Sequence, residues 1–124
     1  MNVFKAQPVG DEWLEVRAEL VRAFEMSRAS AQKEESFVFV VHHADLLGRR
    51  GSGNAMVATG LLSAARTAAL EGFRKGWTAN VLAYDDDSDP ILIDKWATRL
   101  AEDSEGVTGE LIRLGSNHLG KALP

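Results

Sequence analysis

An α/β fold, a three-layer sandwich with a parallel sheet at its centre and helices on both faces, follows from three stretches of this sequence. Phe37 to Val41 is a continuous β-branched and aromatic run, Ala55 to Phe73 is an apolar pattern too long for a strand, and Trp77 to Tyr84 is a second strand-like run. Strand, long helix and strand in that order make a β-α-β unit, whose two strands run parallel through a right-handed crossover.

The elements are justified in chain order. Asn2 to Val9 reads as a short first strand that Pro8 confines to an edge or ends. Asp11 suits an N-cap and Glu12 and Glu15 suit a first turn, so a helix is predicted from Asp11 to Ala29. Trp13, Val16, Leu20, Phe24 and Ser27 recur at helical spacing as its inward stripe, with Glu15, Glu19, Arg22 and Arg28 outside. Ala31 to Ser36 is a polar connector to the central unit. On a helical wheel Val57, Ala58, Leu61, Ala64, Ala65, Ala68, Ala69 and Gly72 share one half of the long helix, small residues that allow a sheet to approach closely. Its other half mixes Met56, Gly60 and Leu70 with Ser63, Thr67 and Arg66, a composition that calls for a further packing partner. Asp89 before Pro90 marks another helix start, with Leu92, Ile93, Trp96, Ala97 and Leu100 as its inward stripe. Glu110 to Leu114 is the last strand, followed by a tail. Three firm strands make a narrow sheet, with a long apolar edge expected near the N-terminus.

Composition bounds what such a unit does. At 124 residues, 45% hydrophobic and 26% charged, the chain reads as one globular domain spanning residues 1–124. With 18 acidic against 14 basic residues the net charge is −4, which lacks the basic footprint of a nucleic-acid binder. No cysteine is present, which excludes disulfides and thiolate chemistry and fits a cytoplasmic location. The first residues lack the pattern of a targeting signal, and no apolar run approaches the roughly 20 residues that span a bilayer, so no membrane partner is expected.

The candidate chemistry is sparse. Gly48, Gly51 and Gly53 lie between a strand and a helix, with Asp85 ending the next strand, which superficially imitates a dinucleotide-binding turn and its ribose-binding acid. The spacing argues against it, because in that motif the first glycine closes the strand directly, whereas here six residues follow Val41 first. A phosphate loop is excluded, since no Gly-Lys-Ser/Thr follows. His42 and His43 stand at the carboxyl end of the central strand, where open α/β sheets place ligands, and Asp45 is two residues on. Neighbours on a regular strand face opposite ways, so at most one histidine faces the crevice; His118 is remote in the chain, and no zinc site is expected. General-base catalysis by one histidine has no nucleophile or second carboxylate to accompany it. The acidic run Asp85, Asp86, Asp87 and Asp89 lacks the glycine and closing glutamate of a calcium loop and reads as a solvated loop and helix cap.

Laid end to end, WLEVRAELVRAFEMSRA, FVFVV, RRGSGNAMVATGLLSAARTAALEGFRKGWTANVLA, KWATRLAED and VTGELIRLGSNHLG resemble the C-terminal half of a short-chain dehydrogenase/reductase of the 3-oxoacyl-carrier-protein reductase type. AALEGFRKGWTAN is similar to that family's Leu-Ala-x-Glu run, basic-glycine turn and strand ending in Val-Asn, and VTGELIRLGSNHLG is similar to its last strand. The resemblance covers nearly the whole chain and implies a truncated Rossmann-like sheet. Counting back from Asn80, the family's catalytic Tyr falls at Asn54 and its Lys at Ala58, and its Ser falls near His42 or His43. Asn54 cannot form a phenolate and Ala58 cannot lower a phenol's pKa. The family's Pro-Gly is replaced around Ala83 to Asp86, and its nucleotide-binding half is absent, so no catalytic residue and no cofactor are expected.

The resemblance implies an oligomer instead. In these reductases the long helix and the one before it pair across a two-fold axis, which designates Met56, Gly60, Ser63, Thr67 and Leu70 as interface residues. A second contact would use Trp96, Leu100, Leu111 and Leu114, with Ser116 to Pro124 reaching towards a partner. The expected function is a non-catalytic subunit that assembles with itself or with a full-length NAD(P)-dependent reductase. The alternative is a small active oxidoreductase or ligand-binding protein using the crevice near His42, His43 and Asp45.

Overall fold

A computed structural model of the chain describes residues 2–115. Four strands, β1 (Val3–Lys5), β2 (Phe37–His42), β3 (Ala79–Tyr84) and β4 (Leu111–Arg113), form one parallel sheet in the order β1-β2-β3-β4. Four helices join them: α1 (Trp13–Gln32), the single turn α2 (His43–Leu46), α3 (Ser52–Phe73) and α4 (Pro90–Glu102). The predicted three-layer sandwich is the observed architecture.

Alternation along the central strands assigns the layers. Phe37, Phe39 and Val41 of β2 and Ala79, Val81 and Ala83 of β3 face α1 and α3. Val38 and Val40, with Leu82, face Ala97, Leu100 and Ala101 of α4. Both faces of β2 and β3 are therefore dry, which is why β2 reads as an unbroken apolar run. The register pairs Phe37 with Ala79 and His42 with Tyr84, so the two strands end level.

The first strand is shorter than expected. Only Val3 to Lys5 pairs with β2, and Lys5 on that edge makes an ion pair with Asp94 of α4 at 2.7 Å. The edge is thus short and charged rather than long and apolar, a usual way of blunting an edge strand.

Helix α1 is rotated from its predicted setting. Val16, Glu19, Ala23 and Ser30 are buried, whereas Trp13 and Phe24 are 58% and 61% exposed. Phe24 stands about 100° round the helix from Ala23, and the small residue takes the seam because α3 presents small residues opposite it. Glu19, expected outside, is buried because its carboxylate accepts from the Gln7 N–H at 2.6 Å and from Arg22 Nε and Nη2, each at 2.9 Å. That hydrogen bonding, opposed by partial desolvation, holds Arg22 above its ordinary pKa. The Arg22 guanidinium also lies 4.3 Å from the centre of the Phe4 ring, a cation–π contact that ties α1 to β1.

Asp11 caps, but not its own helix. α1 starts after Glu12 with no side-chain cap, while Asp11 Oδ1 accepts from the Gly53 N–H at 3.0 Å, at the start of α3. On α3 the sheet side holds Val57, Ala58, Leu61, Ala65, Ala69 and Gly72 as expected; Leu62 is buried as well, and Ala64 is exposed. Asp89 caps α4 as predicted, accepting from the Ile91 N–H at 2.9 Å with Pro90 at the first position. Its stripe is Ala97, Leu100 and Ala101; Leu92, about 140° from Ala97, is exposed. Asp89→Ala is expected to cost about 1 kcal/mol, read as a lower urea midpoint with an unchanged slope.

Candidate functional site

The carboxyl ends of parallel strands form the crevice where such sheets bind ligands, and here β2 and β3 deliver His42 and Tyr84 side by side, ring centres 5.2 Å apart and edge to face. The chain does not continue as a strand beyond His42. It turns at once into α2, and His43 folds back so that its ring stacks on His42, with centroids 5.3 Å apart and planes 25° apart. The expectation that strand alternation separates the two histidines fails for this reason.

Each of the three crevice residues named from the sequence has a defined role. His42 Nδ1 accepts from the Ala44 N–H at 3.1 Å, capping α2, so Nε2 carries the proton and donates to Asp86 Oδ1 at 2.9 Å. Both ring nitrogens are engaged. Asp45, buried, is gripped bidentately by Arg50, with Nε to Oδ1 at 2.7 Å and Nη2 to Oδ2 at 2.8 Å. That hydrogen bond is the main cause that raises the Arg50 pKa above its ordinary value, against partial desolvation. His43 is buried, and its Nδ1 has no hydrogen-bond partner among the described residues. Of the two crevice histidines, His43 alone keeps a ring nitrogen uncommitted among the described residues.

The acidic run folds onto itself. Asp85 Oδ1 accepts from the Asp87 N–H at 2.8 Å, and the Ser88 hydroxyl accepts from the Asp85 N–H and reaches Leu114 O, each at 3.0 Å. A side chain at Gly115 would collide with the Asp85 carboxylate, so the end of β4 closes over this turn. Among the described residues no three or more His, Asp or Glu side chains are placed to hold a metal ion. The Gly48 and Gly51 turn, at φ 70° and 97°, makes the sharp passage from α2 to α3.

The start of α3, where the resemblance places Tyr and Lys, is covered by the chain itself. The β1–α1 connection, residues 6–12, lies across it like a strap. Asn54 Oδ1 accepts from the Val9 N–H at 2.8 Å, and Asn54 Nδ2 donates to Arg50 O at 2.8 Å. Gly53 touches the Gly10 carbonyl so closely that a Cβ there would overlap it. Ala58, one turn on, is buried in the core. Asp86, Tyr84 and the strap went unseen in the sequence as site residues because their partners are remote along the chain, and Arg50 went unseen although its partner Asp45 is only five residues away, because nothing in the local pattern marks the pair.

The residues expected at interfaces are scattered in exposure. Met56, Ser63, Thr67 and Leu70 are exposed on the outer side of α3, Leu70 at 79%. Gly60 is half-buried, and a Cβ there would stand 3.5 Å from Leu20 of α1. Leu100 is buried beneath α4 in the chain's own core, while Trp96, Leu111 and Leu114 are half-buried. His118 and Ser116 to Pro124 lie outside the described residues. Among the described residues no helix is long and apolar enough to cross a membrane.

No protein-family model matches the sequence, and a search of curated proteins finds no match. Solved structures do match in fold. A short chain dehydrogenase from Mycobacterium smegmatis superposes with a TM-score of 0.69 at 18% identity, covering 95% of this chain and 60% of that one. An oxidoreductase of the short chain dehydrogenase/reductase family from Burkholderia thailandensis gives 0.70 at 16%, covering 90% and 61%. The enoyl-[acyl-carrier-protein] reductase (NADH) from Aquifex aeolicus gives 0.69 at 13%, covering 90% and 58%. The chain therefore has a Rossmann-like α/β fold shared with short-chain dehydrogenase/reductase structures and spans about 60% of the length of those it matches.

Proposed function

We propose that this chain, with a fold shared by short-chain dehydrogenases/reductases, is a non-catalytic subunit that assembles with itself or with a full-length NAD(P)-dependent reductase in the cytoplasm. The observation that carries the reading is at Asn54. The position that the resemblance gives to a catalytic tyrosine holds an amide, and both ends of that amide are committed to backbone groups, Val9 N–H and Arg50 O. Ala58, at the position of the lysine, is a buried methyl. Proton transfer to a carbonyl needs an ionisable group within hydrogen-bond reach, and neither residue supplies one. The crevice offers little instead, since His42 and Asp45 are engaged and His43 alone is uncommitted.

Assembly is supported by the outer surface of the α1–α3 layer. Trp13, Leu14, Val21, Phe24, Met56, Leu70 and Phe73 are all exposed there, more large apolar side chains than a solvated helix layer usually shows. Isologous packing of this face would bury them. Ser63, exposed amid the expected contact, is a cleaner probe than Gly60, whose neighbour is Leu20 of the same chain. Ser63→Arg is expected to shift the species towards monomer by light scattering, and an unchanged mass counts against this face. The purified chain is expected to show no NAD(P)H-dependent turnover of a 3-oxoacyl thioester. Turnover by the chain alone would overturn the non-catalytic reading, and failure to co-purify with a co-expressed full-length reductase would leave the homo-oligomer.

A further inference from the structure

We propose that the Glu19–Arg22 pair is an internal substitute for a neighbouring strand: it closes the outer edge of β1, and a second copy of this chain pairs along that edge once the pair is removed. The ladder between β1 and β2 fixes which backbone groups face outwards. The Val38 N–H donates to Asn2 O and the Ala6 N–H donates to Val40 O, so Asn2, Phe4 and Ala6 direct their backbone groups towards β2. Val3, Lys5 and Gln7 lie between them and direct theirs away from the sheet.

In a parallel ladder one residue engages the carbonyl before its partner and the N–H after it. β2 follows this rule: Val38, opposite Val3, bonds to Asn2 O, and Val40, opposite Lys5, bonds to the Ala6 N–H. On the outer edge the equivalent two groups, either side of Ala6, are Lys5 O and the Gln7 N–H. Arg22 Nη2 donates to Lys5 O at 3.2 Å, and Glu19 Oε2 accepts from the Gln7 N–H at 2.6 Å. The two side chains thus supply the donor and the acceptor of one residue of a further strand. Arg22 Nη2 also donates to Glu19 Oε2 at 2.9 Å, and Glu19 is only 7% exposed, so the substitute is held in place by α1.

Space for the strand it replaces is present. A trough of about 560 Å³ runs beside the edge, lined by Val3, Lys5 and Gln7, by Arg22, and on α4 by Asp94 and Ala97. A strand entering it needs Lys5 O and the Gln7 N–H whichever way it runs, and both are taken. The charges along the edge are matched, Lys5 with Asp94 and Arg22 with Glu19, so nothing there selects a charged peptide. A second β1 brought up by a two-fold axis meets the same neutral edge and offers the same outward N–H and C=O groups, which makes another copy of this chain the fitting occupant. This contact is separate from the α1–α3 face, so the inference does not rest on the assembly proposed above.

The double variant Glu19→Ala/Arg22→Ala, compared with the parent at equal concentration, is expected to show about a twofold higher mass by light scattering, one parent species pairing with another. Hydrogen exchange at the Val3 and Lys5 amides is expected to slow in the associated form. Adding Val3→Pro, which removes an outward N–H and leaves the bonds to β2, should return the mass to the parent value. Glu19→Gln keeps an acceptor for the Gln7 N–H and should stay at the parent mass. If the double variant does not fold, Arg22→Ala alone frees Lys5 O and is expected to give a smaller, concentration-dependent rise. A folded variant that keeps the parent mass up to millimolar concentration overturns the proposal. A rise in mass that Val3→Pro leaves in place also overturns it, because the contact then lies elsewhere.

Discussion

Asn80→Leu is expected to lower the unfolding free energy by about 2 kcal/mol, the sum of two part-buried backbone groups left unmatched at the lower end of roughly 1–3 kcal/mol each. Asn80 is completely buried on the α4 side of β3, where neighbouring inward positions are Val38 and Leu82. Its Nδ2 donates to Val107 O at 2.8 Å, and its Oδ1 accepts from the Glu110 N–H at 3.1 Å. Leucine fills similar space and adds apolar burial, yet leaves that carbonyl and that N–H without partners. These two bonds dock the 103–110 connection against the sheet, so β4 should be the first element to loosen. Urea unfolding followed by circular dichroism gives the global loss, and hydrogen exchange at Leu111 to Arg113 gives the local one. A loss below about 1 kcal/mol with unaltered exchange in β4 would show that solvent satisfies those groups.

Gly53→Val is expected to cost about 2 kcal/mol, in the range of overpacked positions, and to release the strap. The added side chain would meet the Gly10 carbonyl and Val16 of α1, and backbone cannot yield as a flexible side chain does. Displacing the strap also separates Asp11 from the Gly53 N–H and Val9 from Asn54. Cleavage after Glu12 by a glutamate-specific protease should be faster than in the parent chain. Equal cleavage rates would mean that the strap tolerates the extra volume and is not seated on α3 as described.

The sheet was legible where local and global signals coincide. β2 is apolar on both faces because helices cover both, and nothing but a buried strand gives five β-branched and aromatic residues in succession. The Asp89 and Pro90 cap needed no distant partner, and it was read correctly. What escaped was set by distance along the chain. Asp11 looks like the cap of the helix it precedes, but the free N–H groups it meets belong to α3. Glu19 looks solvated until the Gln7 backbone and Arg22 surround it. The inward stripe of α1 was assigned by helical spacing counted from Trp13, whereas the seam is set by how closely two helices approach, and there Ala23 fits and Phe24 does not. At the crevice, neighbours in sequence were taken as neighbours on a strand, although the strand had already ended.

The strand order has a kinetic meaning. Because β1-β2-β3-β4 repeats the order of synthesis, every strand joins the sheet beside the one made just before it, and none is inserted between two already paired. A nascent chain can therefore lay down its sheet from one side as it leaves the ribosome, with β1 and β2 paired before β3 exists. The crossovers still make each pairing a non-local event, so successive docking, rather than local hairpin closure, sets the pace. A chain released after β3 already contains the α1–α3 core but only the aliphatic side of the other face, Val38, Val40 and Leu82, open to water. Until α4 arrives, that bare strip is the surface a chaperone would have to shield.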